Sequence, residues 1–168
     1  MRNLTATLCL TIIVLLFSPT EGWSADFQKG YAAYKRGDYA TALREWTPLA
    51  EQGIARAQSN LGLMYRQGHG VPQDDKTAVK WYTLAAEQGY ATAQYNLGWM
   101  YDTGRGVPQD DKTAVKWYRL AAEQEDAGAQ TGLGAMYATG RGVIQDNVYA
   151  HMWGMSDQPT MRDKEGLR

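Results

Sequence analysis

The sequence is poor in the residues on which thiol chemistry and most transition-metal sites depend. Its 168 residues include one cysteine, Cys9, and two histidines, His69 and His151. A lone cysteine excludes an intramolecular disulfide framework and a zinc site built from several cysteines. The histidines fall in different predicted elements, so they lack metal-ligand spacing. We therefore predict no metal and no cofactor.

The chain also lacks a strong charge bias and a long apolar segment. Its formal net charge is −1, and no long run of like charge occurs. This balance argues against nucleic acid, or an anionic membrane held by bulk electrostatics, as the partner. The longest apolar stretch, Leu8 to Phe17, is too short to span a bilayer comfortably.

This N-terminal stretch has the layout of a secretory signal peptide. Arg2 precedes it, and small or polar residues follow it up to Ala25, so that cleavage after Gly22 or after Ala25 fits the pattern. We expect an exported protein, located in a bacterial periplasm or secreted, whose mature domain has no thiol. The alternative is that the segment stays attached as an anchor, which is the only membrane contact we expect.

The remainder of the chain repeats with a period of 36 residues. The first recurring set is Ala57, Leu61, Gly62, Met64 and Tyr65, which returns as Ala93, Leu97, Gly98, Met100 and Tyr101 and again as Ala129, Leu133, Gly134, Met136 and Tyr137. The segment VPQDDKTAVKWYTLAAEQ at 71–88 returns at 107–124 with Thr83 replaced by Arg119. A fixed period of this size predicts an array of stacked structural units.

Each unit is predicted to contain two antiparallel helices. Ala57, Leu61, Met64 and Tyr65 stand at i, i+4, i+7 and i+8, which places them on one stripe of a helix. The Gly68 to Pro72 segment ends this helix, Asp74 or Asp75 caps a second helix from Lys76 to Gln88, and Gly89 closes it. Trp81 and Tyr82 are expected to fill the gap toward the neighbouring unit. Two such helices cannot bury both faces alone, so the units must stack into an all-α solenoid.

The repeat resembles a known family. The pattern A-Q-x-x-L-G-x-M-Y-x-x-G-x-G-V-P-Q-D, followed by A-V-K-W-Y-x-x-A-A-E-Q-G, is similar to the Sel1-like repeat, a relative of the tetratricopeptide repeat, over roughly Asp26 to Trp153. The resemblance implies a right-handed α/α superhelix that binds a protein or peptide in its concave groove and is not an enzyme. Some secreted Sel1-like proteins are cysteine-rich and associated with lactam hydrolysis, so a cell-wall or lactam-hydrolysing enzyme is one alternative. A fragment with no independent role is another.

The chain divides into six predicted segments. They are a signal peptide (1–25), a shortened tetratricopeptide-like unit (26–53), two full repeats (54–90 and 91–126), a truncated repeat (127–158) and a polar tail (159–168). In the shortened unit we expect Phe27, Tyr31 and Tyr34 on one face, Trp46 facing inward, and a kink or early helix end at Pro48. The last helix should end near Gly154, leaving this end least stable.

Repeat positions that vary while lying on the first helix of a unit are free to carry specificity. They are Ser59/Tyr95/Thr131, Leu63/Trp99/Ala135, Arg66/Asp102/Ala138 and Gln67/Thr103/Thr139. In the related tetratricopeptide fold this face lines the groove, so we predict partner contacts from Lys35, Arg36, Ser59, Leu63, Arg66, Tyr95, Trp99 and Asp102. Tyr95 and Trp99 form an aromatic ledge typical of binding hot spots, unless they pack between helices. Arg66 and Asp102 are otherwise ordinary solvated charges.

No catalytic motif accompanies this surface. The pairs Asp74-Asp75 and Asp110-Asp111 precede second helices, which favours capping over cation binding, and they lack the spaced oxygen ligands of a calcium loop. Gly68 and Gly70 are turn glycines with no preceding strand, so they do not form a phosphate cradle. No serine lies in a nucleophile-elbow context.

Overall fold

The computed structural model describes residues 19–154, with side chains from residue 26 onward. This part of the chain holds eight helices and no strand. They are α1 (Pro19–Lys35), α2 (Tyr39–Glu51), α3 (Ala55–Gln67), α4 (Asp75–Glu87), α5 (Ala91–Thr103), α6 (Asp111–Ala122), α7 (Ala127–Thr139) and α8 (Asn147–Gly154). Consecutive helices pack in pairs, which we number as units 1 to 4. The first helix of each unit is its A helix and the second its B helix.

The predicted all-α solenoid is confirmed by the way the core crosses from unit to unit. One buried cluster joins Ala78, Tyr82 and Ala85 of unit 2 to Leu97 and Met100 of unit 3. The other two clusters join units 1 and 2 and units 3 and 4 in the same way. Each unit therefore covers the apolar face of its neighbour, as a stacked array requires. We call the contact region between two successive units a joint: the first joint lies between units 1 and 2, the second between units 2 and 3, and the third between units 3 and 4.

Aspartates cap the B helices. The side chain of Asp74 accepts hydrogen bonds from the backbone N–H groups of Lys76 and Thr77, and Asp110 repeats this arrangement before α6. Hydrogen bonds from Thr77 lower the pKa of Asp74, because they favour the charged carboxylate. The predicted capping role is thus confirmed for Asp74. Asp75 is the first residue of α4, and its side chain bonds to a different partner, described below.

The chain reverses at left-handed residues. Gly68, Gly104 and Gly140 end the A helices of units 2 to 4 with φ between 69° and 71°. Gly89 closes unit 2 with φ 85°, and its counterpart Glu125 adopts φ 65° although it is not a glycine. A side chain in this conformation is strained by roughly 1 kcal/mol or more.

Within units 1 to 3, a buried aromatic ring of the B helix packs on a glycine of the A helix. A Cβ added at Gly62 would lie 2.7 Å from the ring of Tyr82, and Gly98 has the same relation to Tyr118. In unit 4 the aromatic position is taken by Gly154, and Gly134 approaches its backbone directly. The glycines of the repeat therefore set how closely the helices approach each other.

Unit 1 differs from the sequence prediction at Pro48. Trp46 is buried, and its indole N–H donates to the carbonyl of Phe27 at 3.2 Å. Tyr31, predicted on one helix face with Phe27 and Tyr34, is 41% exposed. The early helix end at Pro48 is wrong, since α2 continues to Glu51. Proline has no N–H to bond the carbonyl four residues before it. Because Pro48 lies on the exposed side of α2, that carbonyl can bond to water instead.

Parts of the predicted division lie at or beyond the ends of this description. Helix α1 begins at Pro19, inside the predicted signal segment, and residues 1–18 lie outside the described part. Helix α8 is described to Gly154, so residues 155–158 and the predicted tail at 159–168 are also outside it.

Candidate functional site

Two of the predicted partner contacts, Arg66 of unit 2 and Trp99 of unit 3, lie against each other. The guanidinium carbon of Arg66 is 5.1 Å from the centre of the Trp99 ring. Nη1 of Arg66 also donates to Oδ1 of Asn96 at 3.1 Å. The last turn of α3 is thereby tied to the middle of α5, and a cation rests on an aromatic ring at this joint.

Trp99 has a second cation beside it. The guanidinium carbon of Arg105, in the turn after α5, is 5.2 Å from the ring centre. The indole is half-buried and packs against the core clusters on both sides of unit 3. Trp99 therefore contributes to packing between units and still presents part of its ring to solvent, together with Arg66 and the half-buried Leu63.

Tyr95 is a packing residue. Its ring lies 5.9 Å from that of Tyr118, and a Cβ added at Gly128 of α7 would lie 2.9 Å from it. Tyr95 is half-buried at the joint between units 3 and 4. Of the two alternatives for this residue, packing between helices is the one that the structure shows.

The prediction for Ser59 needs correction. Ser59 is 3% exposed, so its side chain does not offer a surface to a partner. At the same position in unit 3, Tyr95 packs against Gly128 in the A helix of the next unit. Thr131, at the same position in unit 4, is exposed. The residue type at this position therefore varies with the packing around it, and the variation does not mark a partner-binding surface.

Asp102 is not an ordinary solvated charge. Its Oδ2 accepts a hydrogen bond from the hydroxyl of Tyr118 at 3.2 Å, and its Oδ1 accepts one from Nη2 of Arg141 at 2.6 Å. Burial, and then the charge of Asp102, raise the pKa of Tyr118. Asp102 therefore bridges units 3 and 4 within its own chain.

Lys35 and Arg36 lie at the other end of the predicted surface. Both are exposed, and Nζ of Lys35 is 5.7 Å from the ring of Tyr31. The neighbouring Tyr34 donates its hydroxyl to Oε1 of Gln67 at 2.8 Å, which places the end of α1 beside the end of α3. The remaining surface, which we call the A-helix face, consists of Leu63, Arg66, Gln67, Trp99 and Thr103.

A set of joint contacts was missed by the sequence reasoning. Nε and Nη2 of Arg105 donate to the two carboxylate oxygens of Asp75 at 2.9 and 3.0 Å. Arg141 and Asp111 form the same pair one unit later, and the ring of His69 stacks on that of Tyr39 one unit earlier, with centres 4.2 Å apart. In each pair the partners are 30 residues apart. The signal was present in the sequence, because both positions change together from the first pair to the second and both stay the same in the third.

The serine and the two histidines whose side chains are described lie in separate places. Ser59 is buried in α3, His69 is hydrogen-bonded to Tyr34, and His151 is exposed on α8. Between residues 26 and 154, no three His, Cys, Asp or Glu side chains form a group that could hold a metal ion. Nor does any helix of the described part have the length and apolar character needed to cross a membrane.

Comparison with known proteins identifies the repeat. The model of the Sel1 repeat matches residues 55–90, 91–126 and 127–153. The chain is 42% identical to a protective antigen of uropathogenic Escherichia coli with an SLR fold, with TM-score 0.74, over 80% of this chain and 30% of that one. It is 37% identical to a Sel1 repeat protein of Oxalobacter formigenes, with TM-score 0.72, over 76% of this chain and 52% of that one. None of the curated proteins matches it.

Proposed function

The chain belongs to the Sel1 repeat family, and from this premise we propose that it is an exported, non-enzymatic module that binds a protein or peptide on its A-helix face. Sel1 repeat solenoids commonly serve as protein-interaction modules. The chain spans 30% and 52% of the two solved relatives, so it corresponds to part of a longer chain in each. A position of this face in the concave groove is part of the proposal, and the likeness to the tetratricopeptide fold supports it.

The observation that carries the proposal is the cluster of Arg66, Trp99 and Arg105. Tryptophan and arginine are the residue types most enriched among binding hot spots. A half-buried ring held by packing loses little conformational entropy when a partner covers it, so its contact area is available at low cost. The cluster lies between two units, where a peptide that follows the A helices would cross it.

Export rests on the pattern of residues 1–25 and has its own test. Fractionation of the source cell, followed by mass spectrometry of the purified mature protein, should give an N-terminus at Trp23 or at Asp26 in an exported fraction. An intact Met1 in the cytoplasmic fraction would contradict export without affecting the binding proposal.

Binding is tested by photo-cross-linking in the cell. A photoreactive residue is placed at Thr103, which is exposed and lies one turn after Trp99, so that the ring itself is kept. The control position is Gln73, an exposed residue of the turn before α4. We expect one protein to be captured from position 103 and not from position 73.

The captured partner is then purified and titrated. Replacing Trp99 by alanine should weaken its binding by at least about tenfold, because a hot-spot aromatic contributes roughly 2 kcal/mol. Capture of no protein, or of the same proteins from both positions, would contradict the proposed binding on the A-helix face.

A further inference from the structure

The second joint lacks a residue that the third joint has. At the third joint, Asp102 joins the hydroxyl of Tyr118 to Arg141. One unit earlier, the repeat places Tyr82 where Tyr118 stands, Arg105 where Arg141 stands and Asp75 where Asp111 stands. The position of Asp102 itself is taken by Arg66. A cation therefore replaces the bridging carboxylate, while the groups that the carboxylate would bind are retained.

The retained tyrosine has no partner for its hydroxyl. Tyr82 is fully buried, and its hydroxyl makes no hydrogen bond with any residue of the described part. Burial raises the pKa of Tyr82, which keeps the hydroxyl protonated and able to donate. A buried donor without an acceptor is costly and uncommon in native structures, so such a group calls for an explanation.

Arg66 also lacks a carboxylate. Of its N–H groups, the structure shows one bonded to Asn96, and no carboxylate among the described residues forms an ion pair with it. Arg105 is already paired with Asp75, so the joint carries one excess positive charge. Arg66 lies near enough to Tyr82 for its charge to oppose the rise in the tyrosine pKa. The hydroxyl and the guanidinium are thus two neighbouring donors with no shared acceptor.

We propose that the place formed by Arg66, Arg105 and the ring of Trp99 binds a carboxylate of the partner peptide, with the Tyr82 hydroxyl as its buried donor. This inference rests on the proposed function, because it names the chemistry that the A-helix face recognises. The third joint supplies the template. There the carboxylate of Asp102 fits between Tyr118 and Arg141, which are the equivalents of Tyr82 and Arg105. To admit the ligand, Arg66 turns toward solvent, gives up its bond to Asn96 and forms charge-assisted hydrogen bonds instead.

The test uses short fluorescein-labelled peptides whose flanking positions are randomised among uncharged residues. One pool has a central glutamate and an amidated C-terminus, the second has glutamine in place of the glutamate, and the third has the glutamine with a free C-terminus. We expect the whole protein to bind at least one of the acidic pools about tenfold more tightly than the neutral pool. Which acidic pool binds distinguishes a side-chain carboxylate from a terminal one.

Arg66→Asp is the matched variant, because it inserts into unit 2 the carboxylate that unit 3 already has. It should bind all three pools equally weakly, while its melting temperature should not fall below that of the parent chain, since the Tyr82 hydroxyl gains an acceptor. Arg119→Asp is the control. It makes the same charge change in the last turn of α6, away from the second joint, and should leave binding within about twofold. It also removes the hydrogen bond from Nη2 of Arg119 to the hydroxyl of Tyr137, so its melting temperature is measured alongside.

Arg66→Gln keeps the test decisive if the aspartate variant does not fold, and it should also lose the preference for the acidic pool. Equal binding of all pools by the parent chain, or a preference that survives both Arg66 variants, would overturn the carboxylate site. Capture from Thr103 together with equal binding of the pools would overturn only this inference and leave the proposed function standing.

Discussion

The carboxylate of Asp75 accepts two hydrogen bonds from the guanidinium of Arg105, at 2.9 and 3.0 Å. Asp75 begins the B helix of unit 2, and Arg105 lies in the turn of unit 3. The pair therefore spans the second joint, and it also holds Arg105 beside Trp99. It links the stability of the stack to the geometry of the proposed binding surface.

Removal of this pair should weaken the joint. Arg105→Ala or Asp75→Asn should each lower the free energy of unfolding by about 1 kcal/mol. A bidentate pair stabilises a fold more than a single-bonded surface ion pair does, but water partly screens this pair. Urea titrations at low and high salt should show a smaller loss at high salt. The double variant should lose less than the sum of the two, and full additivity would argue against direct coupling.

Gly106 should be intolerant of any side chain. It has φ 72°, and a Cβ there would overlap the carbonyl group of Asp75. Gly89 has φ 85° with open space around it, so Gly89→Ala measures conformational strain alone. We expect Gly89→Ala to cost about 1 kcal/mol and Gly106→Ala at least twice as much, measured by urea unfolding. Equal losses would show that the turn does not pack on α4.

The two equivalent tyrosines should respond differently to loss of the hydroxyl. Tyr118→Phe removes the hydrogen bond to Asp102 and should destabilise the chain by about 1 kcal/mol. Tyr82→Phe removes a buried hydroxyl that has no partner, so it should be neutral or stabilising. Thermal melting of both variants in the absence of peptide is the measurement, and a similar loss in both would contradict the assignment of Tyr82 as unpaired.

Asp111 should contribute to a loss of stability in acid. Hydrogen bonds from Arg141 lower its pKa below the ordinary value of 3.8. Its folded pKa is depressed, so its contribution is present above the unfolded pKa and is lost as the pH falls through the folded pKa. Asp111→Asn should therefore be less stable than the parent chain near neutral pH. The gap in urea midpoint should close as the pH falls below the ordinary aspartate pKa of 3.8, and a constant gap would contradict the ion pair.

Glu125 offers a stabilising substitution. It holds φ 65° at the position where unit 2 has Gly89. Glu125→Gly should raise the free energy of unfolding by up to about 1 kcal/mol, because glycine adopts this conformation without the Cβ clash. Glu125→Ala is the control, since it removes the charge but keeps the strain and should give no gain. If alanine raised the free energy of unfolding as much as glycine, the gain would come from removal of the Glu125 charge and not from relief of backbone strain.

The helices of the full repeats could be predicted from the sequence, because their signals are local, whereas the continuation of α2 through Pro48 to Glu51 could not. Asp74 caps α4, Gly89 closes it, and the stripe of Ala57, Leu61 and Met64 is buried as its spacing indicates. The candidate surface could be predicted only in part. Ser59 and Trp99 are both variable positions of an A helix, and sequence variation alone did not distinguish a residue that faces the next unit from one that still reaches solvent.

The sequence by itself therefore determined the period, the helix pairs, the caps and the family, since hydrophobic spacing and turn residues act over a few positions. The tertiary structure alone decided which side chains meet across a joint. It brought Arg105 to Asp75 and Arg66 to Trp99, and it left the hydroxyl of Tyr82 without a partner among the described residues. These features depend on how one unit stacks on the next. The two contacts join side chains from different units, and the hydroxyl of Tyr82 is unpaired because of the residues that surround it in the stack.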